Sequence, residues 1–163
     1  MHSPASLRAA GSGDAGRIAE LLGDLGYPAS AASVLVRLQR LQASRAAAFV
    51  ADVNEQTVGL CTVHLFDVIH EDTAVAMLSV LVVSPLARRT GVGRCLVAKA
   101  EAWAHAAGAG RIVVASGLAR SDAHAFYEAI GYEHNARRYT KRLTGRAPSI
   151  GRETNSSDDE SSA

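Results

Sequence analysis

A stretch in the middle of the chain combines two glycines with several arginines just before a helical pattern. An apolar run over residues 74–83 predicts a strand, and residues 88–93 then read Arg-x-x-Gly-x-Gly. Apolar residues at helical spacing begin at Val92. Glycines let a backbone approach a ligand closely, and the first N–H groups of a helix have no intrahelical partner. These donors and the positive end of the helix dipole suit a phosphate or pyrophosphate. Arg88, Arg89 and Arg94 add side-chain charge at the same place.

Two other kinds of phosphate-binding loop fit this stretch less well. The loop of NTPases requires Gly-Lys-Ser/Thr after four spacers, and no Lys-Ser/Thr follows here. The dinucleotide fingerprint Gly-x-Gly-x-x-Gly fails because Leu96 occupies the position of its third glycine. The remaining alternative is a glycine-rich turn that only starts a helix flanked by surface arginines.

A second informative stretch covers residues 120–133, which contain Phe126-Tyr127 and, further on, Gly131-Tyr132. Together the two stretches resemble the signature of the GNAT N-acetyltransferase superfamily. That signature is Val-x-Pro-x-x-Arg/Gln-x-x-Gly-x-Gly, followed downstream by Asn-x-x-Ala-x-x-Phe-Tyr-x-x-x-Gly-Phe/Tyr. The resemblance covers residues 6–143, and it implies acetyl-CoA as the donor and a primary amine as the acceptor.

The resemblance also implies where the cofactor binds. Backbone groups of a splayed strand, here Leu81, Val82 and Val83, would bind the pantetheine arm and the thioester. Arg120 stands where most members carry an asparagine that contacts the CoA arm, which leaves that contact open. The residues expected around the pyrophosphate are Arg88, Arg89, Thr90, Gly91, Val92, Gly93 and Arg94.

In this family the acetyl group moves directly from the thioester to the amine within a ternary complex. Tyr127 matches the family tyrosine that protonates the departing sulfur as a general acid. A phenol of pKa ~10 donates poorly at neutral pH, but a nascent thiolate is a usable acceptor. The alternative for Tyr127 is a core aromatic whose hydroxyl is bound within the protein.

The general base is not evident, although a protonated amine must lose a proton before it attacks. Many family members use a glutamate on the strand before the loop, yet residues 74–81 contain no acid. The base is therefore bulk water or a group on the preceding strand and turn. Alternatively, His64 is a structural histidine, and Glu71 and Asp72 simply belong to a solvated turn. The candidates are His64, Asp67, His70, Glu71 and Asp72.

A narrower resemblance points to the aminoalkylphosphonate N-acetyltransferase branch. It involves Val58-Gly59, Val63-His64-Leu65, residues 120–127 and residues 138–143. Where that branch carries glutamates, this chain has Met77 and Val80, so the acceptor stays open. The alternatives to a small-molecule acceptor are a protein N-terminal amine or lysine, and a module that binds acetyl-CoA without transfer.

The elements around these motifs predict an α+β domain over residues 1–143. Hydrophobic spacing indicates the order β-α-α-β-β-β-α-β-α-β-β, with a mixed, mostly antiparallel sheet flanked by helices and splayed at the cofactor site. The second helix is predicted over residues 30–45, the second strand of a hairpin over residues 58–69, and the last two strands over residues 132–135 and 138–143. Residues 144–163 are rich in Ser, Gly and acids and are expected to be a disordered tail.

Composition limits the partners and the compartment. The chain of 163 residues is 48% hydrophobic and 20% charged, which is globular, and its net charge of +1 gives no field that attracts nucleic acid. No apolar run is long enough to span a membrane, and the N-terminus lacks a secretory pattern. Cys61 and Cys95 form neither a disulfide framework nor a metal-spaced cluster, and Cys95 is expected to be buried. We expect a cytoplasmic enzyme without a metal. Dimerisation is common in the superfamily, so a homodimer is considered, although no interface can be derived.

Overall fold

The computed structural model describes residues 5–115 and 121–143, in which five strands form one sheet in the order β1-β2-β3-β4-β5. Neighbouring strands pair antiparallel except β4 and β5, which are parallel because a helix returns the chain between them. This arrangement confirms the predicted α+β fold. The elements are β1 (Ser6–Ala9), α1 (Ala15–Leu25), α2 (Ala31–Gln42), β2 (Ala46–Val53), β3 (Gln56–Phe66), β4 (Ala74–Val83), α3 (Val92–Ala106), β5 (Ala109–Val114) and α4 (Ser121–Ala129).

Helices cover both faces of the sheet, and each face has its own buried cluster. On one face, α1 and α2 contribute Leu21 and Val34, which pack with Leu60 and Val82 of the sheet. The other face carries α3, whose residues Leu96, Val97 and Ala100 pack with Cys61, Ala76 and Leu78. The helical spacing of these apolar residues, visible in the sequence, is what allows each helix to bury one side.

The ends of the first two helices have local causes. Gly26 ends α1 in the left-handed conformation, with a φ of 95° that few side chains tolerate. Ser30 starts α2, because its Oγ accepts a hydrogen bond of 3.1 Å from the backbone N–H of Ser33. The short link between these ends holds α1 and α2 side by side on one face of the sheet.

Strand β4 contains a bulge, at which one of its residues has no partner in β3. Thr62 pairs with Val80 and Val63 pairs with Leu78, so Ser79 has no partner of its own in β3. Side chains two apart in a strand normally face the same side, but this bulge reverses the alternation. Leu78 consequently packs on the α3 face, whereas Val80 packs on the face covered by α1 and α2.

Strands β4 and β5 separate beyond the bulge in β4. Pairing between β4 and β5 ends with Leu78 opposite Val114, yet β4 continues to Val83. Within residues 5–115 and 121–143, positions 79–83 therefore have no strand on their β5 side. This is the splay that the resemblance implied, and it exposes one row of β4 backbone groups.

The two strands predicted at the end of the domain are wrong. Residues 132–135 and 138–143 have no regular secondary structure, and residues 133–143 are all exposed. Tyr139 and Leu143 are 87% and 93% exposed, and the cations between them leave no continuous apolar face to bury. Strand β3 also ends at Phe66 rather than at Ile69, and α2 ends at Gln42 rather than at Arg45. The predicted tail, residues 144–163, lies outside the described residues.

Gly59 in β3 lets α3 lie close to the sheet. A Cβ atom at this position would lie 2.8 Å from Leu96 Cδ1, 3.2 Å from Val92 Cγ1 and 3.3 Å from the Val82 carbonyl oxygen. Leu96 is fully buried and has little room to move. We expect Gly59→Ala to lower the free energy of unfolding by about 1–3 kcal/mol, measured by urea denaturation.

The matched control for this substitution is Gly23→Ala. A Cβ at Gly23 has no neighbour within 4 Å, and this glycine lies in the interior of α1. Alanine there is expected to raise stability by about 0.5–1 kcal/mol, because it restricts the unfolded chain. An unchanged urea midpoint for Gly59→Ala would show that α3 does not depend on this close approach.

Candidate active site

Two residues of the loop between β4 and α3 have left-handed backbone conformations, which direct the chain into the helix. Arg89 has a φ of 63° and Gly91 a φ of 90°, so both lie in the left-handed region. Thr90 stabilises the turn, since its Oγ1 donates a hydrogen bond of 2.6 Å to the carbonyl oxygen of Ala87. Gly91 then begins α3, where the space beside its Cα is open.

This geometry leaves a row of backbone N–H groups without protein acceptors. The first hydrogen bond of α3 runs from the Cys95 N–H to the Gly91 carbonyl oxygen at 3.1 Å. Among the residues that the structure describes, no oxygen accepts from the N–H groups of residues 89–94. The row therefore has the donors that an anion at a helix N-terminus requires.

Three arginines surround the same helix start. Arg89 and Arg94 are exposed, and Arg88 donates from its Nε to the Val83 carbonyl oxygen at 3.2 Å. No acidic side chain in the described part of the chain pairs with any of the three. Their positive charge is thus available to a ligand that lies across the loop.

Phe126 of α4 packs against the start of α3 beside the end of β4, and Tyr127 lies next to Phe126. A Cβ at Gly93 would lie 3.6 Å from the Phe126 ring and 3.7 Å from Val83. Tyr127 packs beside Phe126, with ring centroids 5.3 Å apart, and borders the same buried cluster as Leu81 and Val83. Arg120, the expected contact to the CoA arm, lies outside the described residues.

Tyr132 lies beside Tyr127 but has a different environment. The two ring centroids are 5.5 Å apart, and the Tyr132 hydroxyl donates a hydrogen bond of 3.0 Å to Glu101 Oε1. Burial, together with the Glu101 carboxylate, raises the pKa of Tyr132. Its proton is therefore held firmly, and Tyr132 anchors the segment after α4 to α3.

The face of β4 that is covered by α1 and α2 borders a cavity of about 490 Å³, which lies between these two helices and the strands β3 and β4. We call it the acceptor cavity. Its wall is mostly apolar, and the Thr62 hydroxyl makes a hydrogen bond of 2.7 Å with that of Ser79. The lining residues are Ile18, Leu22, Val34, Arg37, Leu38, Arg40, Leu41, Ser44, Leu60, Thr62, His64, Ser79 and Val80.

Among the predicted base candidates, His64 is the one that lines this cavity. Its side chain lies on β3, is partly buried, and burial lowers its pKa because the charged form is desolvated. The ring is therefore neutral at neutral pH and has a nitrogen that accepts a proton. This makes His64 suitable as a general base.

The other candidates lie in the turn between β3 and β4, away from the cavity. Phe66 lies four positions beyond Thr62, so at about 3.3 Å per residue the turn begins about 13 Å from the bulge. Asp67 is 76% exposed and pairs with Arg45 at 2.5 Å. Asp72 is exposed in the same turn.

Glu71 and His70 form a separate polar group in that turn. Arg111 donates from its Nε and Nη2 to Glu71 at 2.5–3.1 Å, and this hydrogen bonding holds the pKa of Glu71 below its usual value. His70 Nε2 lies 3.6 Å from Glu71 Oε1. A carboxylate held by an arginine is a weak base, so the group stabilises the turn rather than serving the cavity.

Three cavity residues were not indicated by the sequence motifs. Ser79 lies at the bulge, and Arg37 and Arg40 lie on α2. The positions 37, 40 and 44 follow the i, i+3, i+7 spacing of one helix face, which is the signal that would have grouped the two arginines with Ser44. No sequence signal marks Ser79, because the bulge depends on pairing with β3.

The cysteines take no evident part in this site. Both are free, and burial raises the pKa of Cys61 to about 12, so it stays a thiol. Cys95 is exposed, and the expectation that it would be buried is wrong. Leu96 and Val97 face the sheet instead, which places Cys95 on the outer side of α3.

Comparison with known proteins identifies the family. The family model described as the acetyltransferase (GNAT) family matches residues 18–132, which include both the glycine loop and Tyr127. The chain belongs to the GNAT acetyltransferase family. In the described part of this GNAT protein, no helix is both long and apolar enough to cross a membrane.

Individual relatives agree with this family. The aminoalkylphosphonate N-acetyltransferase of Salmonella typhimurium is 34% identical over 90 residues, which are 55% of this chain and 58% of that protein. A transcriptional regulator from Bacillus halodurans has a TM-score of 0.80 at 21% identity, over 86% of this chain and all of that one. The aminoglycoside N-acetyltransferase AAC(6')-Iy, solved with CoA, has a TM-score of 0.77 at 20% identity, over 88% of this chain and 97% of that one. The two structures establish the shared fold.

Proposed function

We propose that this GNAT protein transfers an acetyl group from acetyl-CoA to a primary amine of a small molecule. One observation carries the proposal: the same segment of β4 borders two different sites. On the β5 side, residues 79–83 have no strand partner among the described residues, and they lead to the N–H row of residues 89–94. On its α1 and α2 face, Ser79 and Val80 line the acceptor cavity. A thioester at the bulge would therefore lie within reach of an amine in the cavity.

The donor side matches the chemistry of a pantetheine carrier. The pantetheine arm contains amides, which can pair with the backbone groups of Leu81 and the N–H of Val83 on the open edge of β4, as an additional strand would. Its diphosphate is then aligned with the N–H groups that begin α3. Arg89 and Arg94 supply positive charge there, and Gly91 sets the direction of the row.

The transfer requires proton movements on both sides of the thioester. His64 accepts a proton from the ammonium group, directly or through water, and the free amine attacks the thioester carbonyl. A nitrogen–carbon bond forms, the carbon–sulfur bond breaks, and CoA leaves as a thiolate to which Tyr127 donates its hydroxyl proton. The attacking nitrogen, which became positively charged on bonding to carbon, returns one proton through water to the Tyr127 phenolate, and a neutral amide and the CoA thiol remain.

The acceptors of the relatives differ in charge. One relative is named for aminoalkylphosphonates, which bear an acidic group, and another for aminoglycosides, which are polycationic. Both classes are amines, and both are candidate acceptors for this chain. Protein N-termini and lysines are tested alongside them.

The proposal is tested by binding and by thiol release. Calorimetry with the full chain is expected to show acetyl-CoA binding at micromolar concentrations, and a panel of amines and peptides is expected to release free CoA thiol above background. Absence of acetyl-CoA binding at tens of micromolar would overturn the proposal. Binding without thiol release from any amine would instead support a module that only binds acetyl-CoA.

His64→Gln tests the assignment of the base through its pH profile. Because burial lowers the pKa of His64, the wild-type ring is a working base at neutral pH and becomes protonated only as the pH falls below about 6.5. The wild-type kcat/KM should therefore fall on that acid side. In His64→Gln, kcat/KM at pH 7.5 should be lower by about 100-fold, since general-base catalysis typically contributes 10²–10⁴-fold.

The control for this prediction is His70→Gln, which alters an exposed histidine outside the cavity. It should keep the wild-type profile. A His64→Gln protein with the same profile and turnover as the wild type would remove His64 from the mechanism and leave bulk water as the base.

A further inference from the structure

The α2 wall of the acceptor cavity carries two cationic side chains. Arg37 and Arg40 lie one turn apart on the same face of α2, beside Ser44. The opposite wall consists of β3 and β4, which contribute His64 and Ser79. The cavity therefore has a cationic wall and a wall with the proposed base, with apolar side chains between them.

These two arginines have no anionic partner among the described residues, as is also true of the three arginines around the start of α3. Arg8, Arg17, Arg45 and Arg111 each pair with a carboxylate. Within the two described ranges, neither Arg37 nor Arg40 makes a hydrogen bond or an ion pair. Their guanidinium groups keep their full capacity for a bidentate anion.

Among the described residues, the cavity lining contains no aspartate or glutamate that could pair with a second positive charge. An acceptor with several ammonium groups would meet like charges at the exposed side chains of Arg37 and Arg40. An acceptor with an acidic group would meet the opposite charge at Arg37 and Arg40 and still present its amine to His64.

We infer that the acceptor is an amine that carries an anionic group, a phosphonate, phosphate or carboxylate, and that Arg37 and Arg40 bind this group. The inference rests on the proposed function, because it assigns the substrate class of the same site. Leu22, Leu41 and Leu60 line the cavity between the two walls. They fit a short hydrocarbon linker between the amine and the acid. Arg37 and Arg40 are thus residues that determine specificity.

Calorimetry with the full chain saturated with CoA tests this inference. The probes are 3-aminopropylphosphonic acid, 4-aminobutyric acid, n-butylamine (which lacks the acid) and spermidine (a polycation). At least one acid-bearing amine is expected to bind about ten-fold or more tightly than n-butylamine and spermidine, and to weaken as salt is added. The phosphonate and carboxylate arms show which acid the site prefers.

The variants Arg37→Gln and Arg40→Gln remove the charge and keep most of the side-chain stem. Each substitution is expected to lower the affinity for the acid-bearing amine by about ten-fold. Neither should change the affinity for CoA or for n-butylamine. The matched control is Arg45→Gln, since Arg45 follows α2 but pairs with Asp67 and does not line the cavity. It should stay within about two-fold of the wild type.

The outcomes separate the inference from the function on which it rests. The inference is overturned if neither acid-bearing amine binds more tightly than n-butylamine. It is also overturned if the two arginine variants bind the acid-bearing amine as tightly as the wild type does. Thiol release from n-butylamine or spermidine in the same protein would then leave the acetyltransferase proposal intact. Failure of the chain to bind CoA would overturn the proposed function itself.

Discussion

Tyr127→Phe is expected to lower kcat by about 100-fold or more while the KM for acetyl-CoA stays nearly unchanged. The substitution removes one hydroxyl and keeps the ring that packs beside Phe126 at 5.3 Å. Without a proton donor, CoA must leave as an unprotonated thiolate. This raises the activation barrier of acetyl transfer but does not change the affinity for acetyl-CoA. Steady-state kinetics by thiol release, at saturating amine, measures both constants.

Tyr132→Phe is the matched control for this prediction. Tyr132 lies one ring away from Tyr127, but its hydroxyl donates to Glu101, and burial raises its pKa. Its loss should cost about 1 kcal/mol of stability through the lost hydrogen bond and should leave kcat within about two-fold. If Tyr127→Phe keeps full turnover, or if both variants lose the same activity, Tyr127 is a packing residue and not the acid.

Gly91→Ala is expected to raise the Kd for acetyl-CoA by about 10–100-fold. Gly91 has a φ of 90°, which disfavours a side chain by about 1–2 kcal/mol, so alanine should turn the backbone away from the left-handed region. That rotation redirects the first N–H groups of α3. Each hydrogen bond to a charged group contributes about 1.5–3 kcal/mol, and about 1.4 kcal/mol is a tenfold change in affinity. Calorimetric titration measures this change.

Gly108→Ala controls for the strain itself. Gly108 lies just after the other end of α3 and has a φ of 89°, and a Cβ atom added there, as at Gly91, would have no neighbour within 4 Å. Both variants should therefore lose about the same stability in urea, about 1–2 kcal/mol. Only Gly91→Ala should bind acetyl-CoA more weakly. Equal affinities in the two variants would show that the N–H row does not hold the cofactor.

The sequence by itself determined the parts of this protein that depend on local pattern. The strand over residues 74–83, the helix that starts at Val92 and the glycine loop between them all lie where they were predicted. Their signals are short: an apolar run, Pro85, two glycines and helical spacing. The α+β fold followed from the order of such elements, and the family followed from two motifs.

The predictions failed or stayed open where the outcome depends on distant residues. The strands at 132–135 and 138–143 had a plausible local pattern, but these residues pair with no strand in the described structure. The base candidates were all close in sequence, and the direction of β3 alone separates His64, in the cavity, from Glu71, which Arg111 binds. Local pattern contains no information on either contact.

Only the tertiary structure decided the shape and charge of the acceptor cavity. The bulge at Ser79 arises from the register between β3 and β4, and it turns Val80 towards α1 and α2. Packing of α2 on that face then brings Arg37 and Arg40 to the wall opposite His64. The proposed cofactor site uses backbone groups of one contiguous segment, which a motif encodes directly. The proposed acceptor site is assembled from four elements far apart in the chain, so its chemistry depends on how the sheet and helices pack.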